Sequence, residues 1–291
     1  MKSLTIFTPS YNRAYLLPQL YKSLCNQSNQ DFVWLIVDDG STDDTQSVVT
    51  SWQQENKIQI EYIFQANQGM HGAHNTAYDH IRTDFNVCID SDDFMPDDAV
   101  AIILRECKNL EGKFAGILGL DANKNEEIIG TAIPESLTTV KLNELYSLHK
   151  VKGDKKIVYR TEIVKKYPKY PLYEHERFVP LDYLYLLIDQ DYYLKPINEV
   201  LCIVEYQLDG SSMNILKQYR NHPNGFAFSR VNRIKYGKTF KERFKNAIHL
   251  VSSALFAKDV SWVFKSDKLQ LVLMALPMGI LLNLYIRFKT R

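Results

Sequence analysis

Residues 85–98 read FNVCIDSDDFMPDD, and this stretch decides the fold. The apolar run at 85–89 predicts a short buried strand, which ends abruptly at Asp90, Asp92 and Asp93. Pro96 stands where the first turn of a following helix would begin. A strand that ends in carboxylates and leads into a helix is typical of an α/β sheet that binds ligands beyond its strand ends.

These acidic side chains are close enough to repel one another. The repulsion is roughly 4 kcal/mol per pair at a separation of ~4 Å and an effective dielectric constant of ~20. A cation among them would offset it. Hard oxygen ligands at a strand end favour a divalent ion such as Mg²⁺ or Mn²⁺, shared with the phosphates of a ligand. The alternative is a solvated acidic turn that caps a helix.

Two earlier apolar runs, at 4–8 and 32–37, also stop at polar clusters, Ser10–Arg13 and Asp38–Asp44. A third run at 58–64 alternates and predicts another strand. Helical patterns between the runs give a β-α-β-α-β-α-β order, which predicts a mostly parallel sheet with helices on both faces. Because the carboxyl ends of parallel strands meet at one edge, we expect the polar clusters to converge on one crevice.

Two other nucleotide-binding classes lack their signatures in this chain. A dinucleotide-binding protein would carry G-x-G-x-x-G after its first strand, where this sequence reads TPSYNR. The sequence also has no G-x-x-x-x-G-K motif. A Rossmann dehydrogenase and a P-loop kinase are therefore disfavoured.

The net charge of +1 conceals an uneven distribution. Residues 217–291 hold 15 Lys/Arg and 3 Asp/Glu, whereas residues 1–216 hold 20 and 31. A basic tail indicates an anionic partner, either a membrane surface or nucleic acid. The four cysteines are far apart and mostly lie in apolar runs, which predicts buried thiols in a reducing cytosol. The N-terminus is too short and strand-like for a secretory signal.

With these clusters in view, the chain resembles the family 2 glycosyltransferases of GT-A fold. Residues 8–13, TPSYNR, are similar to the family's TPTYNR, and residues 37–43 match its VDDGSTD. Residues 90–93, DSDD, resemble its DxDD metal motif. The resemblance implies a Rossmann-like, mostly parallel central sheet flanked by helices. It further implies a catalytic domain at 1–216, with a nucleotide-sugar-binding half at 1–110 and an acceptor half at 111–216.

The resemblance also implies an inverting enzyme with a nucleotide-sugar donor, most often UDP-linked. Tyr11 would lie against the uracil ring, Asp39 would accept its N–H, and Asp90 would lie near the ribose. Asp92 and Asp93 would hold the Mn²⁺ or Mg²⁺ that bridges the diphosphate. The other implied donor-binding residues are Thr8, Pro9, Arg13, Asp38, His71, Asn75 and Ser91. The alternatives are a turn aromatic for Tyr11 and a helix N-cap for Asp39.

One departure from the family concerns a phosphate-side cation. Residues 67–75, NQGMHGAHN, resemble the family's NGGKHxAxN, but Met70 replaces the lysine. His71 or Arg82 could substitute for it, or the metal alone could suffice. His71 could equally be an ordinary residue at a helix start.

The second half of the chain has weaker patterns. They predict strands near 116–120, 128–133 and 156–159, a helix near 142–148, and two strands within 189–206. The loop at 205–212 either orders over the donor or is a surface turn. Residues 175–178, HERF, resemble a GEKF-like motif near the family's acidic general base. Glu176 is therefore the expected base, with Glu174 and Asp182 behind it, in a direct in-line displacement. An ordinary charged loop is the alternative.

The tail at 217–291 predicts helices. Apolar residues on one helical face are Phe240, Phe244, Ile248, Val251 and Leu255. The run at 269–286 is nearly all apolar, and its roughly 27 Å is slightly short of a ~30 Å hydrocarbon core. Pro277 would kink it. We expect peripheral docking on an anionic membrane. The alternatives are a single span, packing of these helices on the catalytic domain, or pairing of two chains, as in a homodimer.

Membrane docking suits a glycan acceptor on a polyprenyl diphosphate at the cytoplasmic face of the cell membrane, as in relatives that assemble capsule, exopolysaccharide or O-antigen. Three other functions compete with this one. A nucleotidyltransferase usually needs a Gly-rich basic loop that is absent here. A non-catalytic nucleotide-sugar-binding or membrane scaffold protein would not need every donor-site acid. A nucleic-acid binder is disfavoured, because the basic residues of the tail alternate with long apolar runs.

Overall fold

A seven-stranded sheet forms the centre of the first of two units in the chain. The computed structural model of the protein describes residues 2–205 and 214–290. The strands are β1 (Leu4–Ser10), β2 (Phe32–Asp38), β3 (Ile60–Phe64), β4 (Phe85–Cys88), β5 (Phe114–Ala122), β6 (Lys155–Arg160) and β7 (Tyr193–Ile203). They lie in the order β3-β2-β1-β4-β6-β5-β7, and β6 runs antiparallel to both of its neighbours. The other paired strands are parallel, so the predicted mostly parallel sheet is confirmed.

Helices cover both faces of this sheet. They are α1 (Leu17–Cys25), α2 (Thr45–Glu55), α3 (Met70–His80), α4 (Ala99–Cys107), α5 (Leu142–Ser147) and α6 (Thr161–Val164). Alternate residues of β2 show the two faces: Trp34 packs with α1, α2 and α4, whereas Leu35 packs with α3. Strands buried on both faces need continuous apolar runs, and all seven residues of β2 are buried.

Two strand predictions in the second half are wrong. Residues 128–133 form no strand, because Gly130 adopts a left-handed φ of +82° and only Ile128 makes an isolated bridge. Residues 189–205 do not form two strands: α7 (Asp182–Asp191) is followed by the single strand β7, whereas residues 206–212 of the predicted loop lie outside the described residues. Asp189 accepts hydrogen bonds from the backbone N–H groups that start α5, 2.9 Å from Leu142 N and 2.7 Å from Asn143 N. A short apolar run such as 184–188 suits either a strand or a helix by periodicity alone.

Two compact units divide the chain at points other than residue 216. The first comprises Met1–Pro168 and Ile188–Gln207, and the second comprises Lys169–Leu187 and Leu208–Arg291. The second unit therefore gains residues 169–187 from the predicted acceptor half.

All four cysteines are free thiols. Cys107 and Cys202 are buried, as predicted, whereas Cys25 and Cys88 are only half-buried, so the predicted burial is wrong for these two.

The second unit is helical. Its helices are α8 (Ile215–Asn221), α9 (Pro223–Tyr236), α10 (Phe240–Ala257), α11 (Ser261–Phe264) and α12 (Leu269–Lys289). The buried face of α10 carries Leu250 and Val251, and Gly279 lets α12 approach closely, since a Cβ there would lie 2.4 Å from that of Val251. The predicted α10 face is only partly correct, because Phe240 is 66% exposed. Helix α12 continues through Pro277.

Among the described residues, α12 is the one helix that is long and apolar enough to cross a membrane. Only 28% of its most apolar stretch is buried inside the protein. The exposed apolar side chains of α12, here called the α12 apolar face, are Leu269, Leu273, Met274, Met278, Ile280, Leu281, Leu284, Tyr285 and Phe288. Exposed apolar surface of this extent is typical of a contact with lipid or with another protein.

Replacing His249 should make the protein more resistant to acid. Burial lowers the pKa of His249 to about 3, and the positive charges of Arg230 and Lys245 act in the same direction. The unfolded chain therefore takes up a proton below its ordinary pKa of about 6.5 while the folded chain does not, so stability is lost as the pH falls. This effect is about 2 kcal/mol between pH 6.5 and pH 5.

His249→Gln should remove most of that loss, which urea unfolding at both pH values measures. His149→Gln, at an exposed position, controls for the loss of an imidazole. An equal loss in wild type and in His249→Gln would contradict the prediction.

Candidate active site

Three loops that follow β1, β2 and β4 lie at one edge of the sheet. Strand β1 lies between β2 and β4 and is parallel to both, so the carboxyl ends of all three are neighbours. The Asp39 N–H donates to the Ser10 carbonyl across 2.8 Å, and the Ile89 N–H donates to the Phe7 carbonyl across 3.0 Å. The predicted convergence of the polar clusters is therefore confirmed.

The β1 and β2 loops are interlocked by Asn12. Asn12 adopts a left-handed φ of +53°, which asparagine tolerates better than most residues. Its N–H donates to Ser41 Oγ across 2.9 Å, and its Oδ1 accepts from Thr42 N across 2.8 Å. Next to it, the ring of Tyr11 is 49% exposed. The interlock thus presents an aromatic face on an ordered loop, as stacking on a base requires.

Asp39 organises the third side of this edge. Its buried carboxylate accepts from Gln65 Nε2 (2.7 Å), Gln68 N (2.8 Å) and Gly69 N (2.7 Å). Gly69 has φ +83° and ψ 167°, a conformation that is open almost only to glycine. These bonds engage both carboxylate oxygens. Asp39 therefore holds the loop before α3 next to the β1 and β2 loops.

Several predicted donor residues are engaged inside the protein. Thr8 Oγ1 accepts from the indole of Trp34 across 3.0 Å, and Asp38 accepts from Ser41 N (2.8 Å) and Tyr62 Oη (2.5 Å). Both side chains are buried, so their donor contacts stay predictions. Pro9 and Arg13 are half-buried, and Arg13 donates to Tyr15 Oη across 2.7 Å.

Two buried polar atoms at this edge escaped the sequence reasoning. Ser10 Oγ and Asn67 Oδ1 have no hydrogen-bond partner within residues 2–205 and 214–290. Leaving a buried polar group unsatisfied costs about 1–3 kcal/mol, which a bound polar ligand would recover. Their burial could not be deduced from a motif, because both residues look like ordinary turn formers.

The first turns of α3 bring histidines close to the acidic strand end. His71 and Asn75 are buried, and His74 Nδ1 is 2.9 Å from the Met70 carbonyl. Burial lowers the pKa of His74, against the opposing effects of that carbonyl and of Asp90. Arg82 lies before β4 begins, at the opposite edge of the sheet from Asp90. It therefore cannot supply the positive charge of the family's lysine, which is Met70 in this chain.

The acid loop, defined as residues 90–93, forms a tight turn in which the Asp93 N–H donates to the Asp90 carbonyl across 3.1 Å. Asp90 and Asp92 are half-buried, whereas Ser91 and Asp93 are buried. Burial raises the pKa of Asp93 to about 7; nearby Lys156 opposes this, and the charges of Asp90 and Asp92 add to it. The loop thus carries an excess of negative charge.

Two residues that the sequence reasoning missed lie beside the acid loop. The ammonium of Lys156, on β6, is 3.9 Å from Asp93 Oδ2 and 4.0 Å from Asp121 Oδ1. Burial lowers the pKa of Lys156, but the surrounding anionic groups, including Asp121 and Asp93, raise it well above its usual value overall. The signals available were a single Asp in the apolar run GILGLDA and a lysine pair at the start of β6.

The acid loop fits a divalent ion by its donor chemistry and its excess charge. Carboxylate oxygens suit Mg²⁺ and Mn²⁺, and Asp92 is accessible enough to reach an ion at the strand end. In the described part of the chain, no three His, Cys, Asp or Glu side chains are grouped so as to hold a metal by themselves. An ion here would therefore need oxygens from a bound ligand as well.

The predicted general bases lie in the second unit. Glu176 is buried and accepts from Asn224 N (2.9 Å), Asn224 Nδ2 (2.7 Å) and Gly225 N (2.9 Å). Because those N–H groups begin α9, Glu176 caps this helix and complements its dipole. Asp182 pairs with Arg233 and accepts from Ser229 Oγ across 3.2 Å, whereas Glu174 is exposed. Which of these carboxylates is the base stays a prediction.

Replacing Glu176 separates its capping role from a role as base. Glu176→Ala should lower the free energy of unfolding by about 1–3 kcal/mol, since it leaves buried N–H groups without acceptors. Glu176→Gln keeps one acceptor oxygen and should recover part of that stability, but it should not recover sugar transfer if the carboxylate is the base. Urea unfolding and transfer rates of both variants measure this. Full activity in Glu176→Gln would leave Asp182 or Glu174 as the base.

The chain is similar to known proteins in sequence and in fold. Residues 5–167 match the model of glycosyl transferase family 2, which is more than half of the chain. The protein belongs to this family.

The relatives are bacterial glycosyltransferases. The chain is 28% identical over 137 residues to the GalNAc(5)-diNAcBac-PP-undecaprenol beta-1,3-glucosyltransferase of Campylobacter jejuni, covering 46% of this chain and 44% of that one. It is 36% identical over 102 residues to the chondroitin synthase of Escherichia coli, covering 35% and 15%. The matches thus span less than half the length of these curated relatives.

Solved structures share the fold. TarS 1-349 of S. aureus in complex with UDP-GlcNAc superposes with a TM-score of 0.59 at 19% identity, covering 96% of this chain and 81% of that one. The mannosyltransferase PcManGT of Pyrobaculum calidifontis in complex with GDP-Man and Mn²⁺ gives a TM-score of 0.59 at 17% identity, covering 99% and 82%. The GT-A fold expected from the resemblance is confirmed.

Proposed function

We propose that the protein transfers a sugar from a UDP-linked donor to a hydroxyl group of a glycan acceptor, with inversion at the sugar C1. The observation that carries this proposal is the convergence of Tyr11, Asp39 and the acid loop at one edge of the sheet. The uracil base needs an aromatic face and an acceptor for its N–H, and the diphosphate needs a positive centre. The UDP-GlcNAc and GDP-Man complexes of proteins with the same fold agree with a nucleotide-sugar donor.

Each predicted donor residue has a task in this proposal. Tyr11 stacks on the uracil, and the Asp39 carboxylate accepts the uracil N–H. Ser10 Oγ and Asn67 Oδ1 hydrogen-bond to the nucleoside. Asp90 faces the ribose, and Asp92 would hold a divalent ion against the diphosphate. When bound, that ion would neutralise charge on the leaving diphosphate.

The transfer itself is a single displacement. The acceptor oxygen attacks C1 on the face opposite the diphosphate, the C1–O bond to the phosphate breaks, and UDP leaves with that electron pair. The hydroxyl proton passes to a carboxylate, Glu176 in the first instance and Asp182 or Glu174 otherwise. No covalent glycosyl-enzyme forms.

The acceptor in this proposal is a glycan on a polyprenyl diphosphate at the cytoplasmic face of the membrane. The name of the Campylobacter relative describes a PP-undecaprenol acceptor. The α12 apolar face and the basic residues of 217–291 suit peripheral docking on anionic lipid. Docking would keep the enzyme beside an acceptor that cannot leave the bilayer.

A screen of UDP-sugars tests the proposed function. Purified protein is incubated with each donor, with Mn²⁺ or with EDTA, and with membrane extract as acceptor. We expect UDP release and a labelled lipid-linked glycan for one sugar, and only with the metal. Nucleotide binding without turnover of any donor would instead favour a non-catalytic nucleotide-sugar-binding protein.

A further inference from the structure

Lys156 and Asp121 form a buried ionic cluster with the last carboxylate of the acid loop. Asp121 is 2% exposed and Asp93 is 5% exposed. Asp121 Oδ1 has no hydrogen-bond partner within the described chain, and its pKa is raised by burial despite the opposing charge of Lys156. Buried carboxylates are costly without a counter-charge, and Lys156 supplies one to both.

Lys156 interacts with both carboxylates through its charge. At 3.9 and 4.0 Å, its ammonium is too far from either carboxylate for a short hydrogen bond, so it attracts both by charge from a position between them. The hydrogen bonds to Asp93 come from elsewhere. Glu205 N donates to Asp93 Oδ1 across 3.2 Å, and Cys202 Sγ donates to Oδ2 across 3.7 Å.

The main chain holds the same arrangement. Phe94, which follows the acid loop, exchanges hydrogen bonds with Ile203 at the end of β7, at 3.1 and 2.7 Å. Lys156 and Asp121 lie on the neighbouring strands β6 and β5, which pair through Gly119 and Lys156. Asp93 is therefore turned towards the sheet and away from the half-buried Asp90 and Asp92.

We propose that Lys156 is a positioning residue that holds Asp93 inside the protein and so restricts metal binding to Asp92 and its neighbour Asp90. The proposal rests on the proposed function and revises the prediction that Asp93 is a metal ligand. A divalent ion placed against Asp93 would also meet the ammonium of Lys156, and the two positive charges would repel each other.

Lys156→Met should bind Mn²⁺ more tightly than wild type does and yet transfer the sugar more slowly. With the ammonium gone, the two remaining hydrogen bonds no longer offset the cost of burying the Asp93 carboxylate, so Asp93 should turn outwards and add a carboxylate to the metal site. Mn²⁺ binding without nucleotide should therefore become about 5–10-fold tighter, while transfer becomes slower because the ion sits in the wrong place. Damage to the fold alone would weaken both. Lys156→Arg keeps the charge and should bind Mn²⁺ as wild type does.

Electron paramagnetic resonance of free Mn²⁺, titrated into each protein with and without UDP, measures this directly. Asp93→Asn should change the Mn²⁺ affinity less than about fivefold, whereas Asp92→Asn should weaken it more than about 30-fold, as expected for loss of a ligand. Adding Asp93→Asn to Lys156→Met should abolish the tighter binding.

Equal losses from Asp93→Asn and Asp92→Asn would overturn the proposal, as would unchanged or weaker Mn²⁺ binding by a folded Lys156→Met. If Lys156→Met does not fold, the Mn²⁺ affinities of Asp93→Asn and Asp92→Asn still test the proposal. If wild type binds no UDP with Mn²⁺ present, the proposed function fails instead.

Discussion

Replacing Asp92 with asparagine should lower the rate of sugar transfer by at least about 1,000-fold and remove its dependence on Mn²⁺. Asp92 is the half-buried carboxylate of the acid loop whose neighbour Asp93 is turned inwards. Asparagine has almost the same shape, so the substitution removes charge and leaves packing intact. The leaving diphosphate then loses its divalent ion, and neither Met70, which stands where the family has a lysine, nor Arg82, at the other edge of the sheet, can replace that charge.

Steady-state transfer rates over a range of Mn²⁺ concentrations measure this effect. Asp97→Asn is a matched control, since Asp97 is an exposed acid only five residues along the chain and should change the rate less than about threefold. A rate within tenfold of wild type in Asp92→Asn, still sensitive to EDTA, would move the metal ligand elsewhere.

Removing the α12 apolar face should release the protein from membranes. Met274, Leu281 and Phe288 are 64%, 65% and 70% exposed. Burying each such side chain in lipid contributes about 1.5–3 kcal/mol, so changing all three to glutamine should lower partitioning onto phosphatidylglycerol vesicles by at least about 100-fold. Transfer to a water-soluble acceptor should remain, because these three side chains are neither donor-site residues nor candidate bases.

Vesicle co-sedimentation of wild type and the triple variant measures the partitioning. The control carries glutamine at three exposed apolar positions of the first unit, Ile128, Leu148 and Tyr193, and should sediment with vesicles as wild type does. A wild-type protein that stays in solution would contradict membrane docking. A fall in molecular mass of the variant in light scattering would instead mean that α12 pairs two chains.

The first half of the fold was predictable because its central strands β1 and β2 are buried on both faces. Strand β2 must be an unbroken apolar run, and Asp38 and Asp39 mark its end unmistakably. The order of strand, turn and helix then places the carboxyl ends at one edge. Local pattern and tertiary position carry the same information here, so the motifs and the geometry agree.

The second half was less predictable because long-range contacts decide its structure. The run at 184–188 suits a strand or a helix, and α7 forms where Asp189 caps α5 from a distance of more than 40 residues. Pro196 lies in β7, which is acceptable only because β7 is an edge strand. Neither the Asp189 cap nor the edge position of β7 leaves a periodic signal in the sequence.

The site was predictable in outline but not in its partners. The motifs locate Asp39 and Asp92, yet nothing near them in sequence indicates Lys156, which lies on a strand more than 60 residues later. Likewise, HERF identifies Glu176 as a residue of interest without indicating that the N-terminus of α9 binds both of its oxygens. Charged groups that pair across the fold are visible only in the structure.

Isothermal titration calorimetry of UDP into the wild-type protein is the most direct test of the shared cleft. Carboxylates at neighbouring strand ends should take up one UDP per chain when Mn²⁺ is present. The heat should vanish with EDTA, and it should vanish in Asp92→Asn and in Asp39→Asn. A wild-type chain that shows no uptake of UDP in the presence of Mn²⁺ would contradict the nucleotide-sugar site.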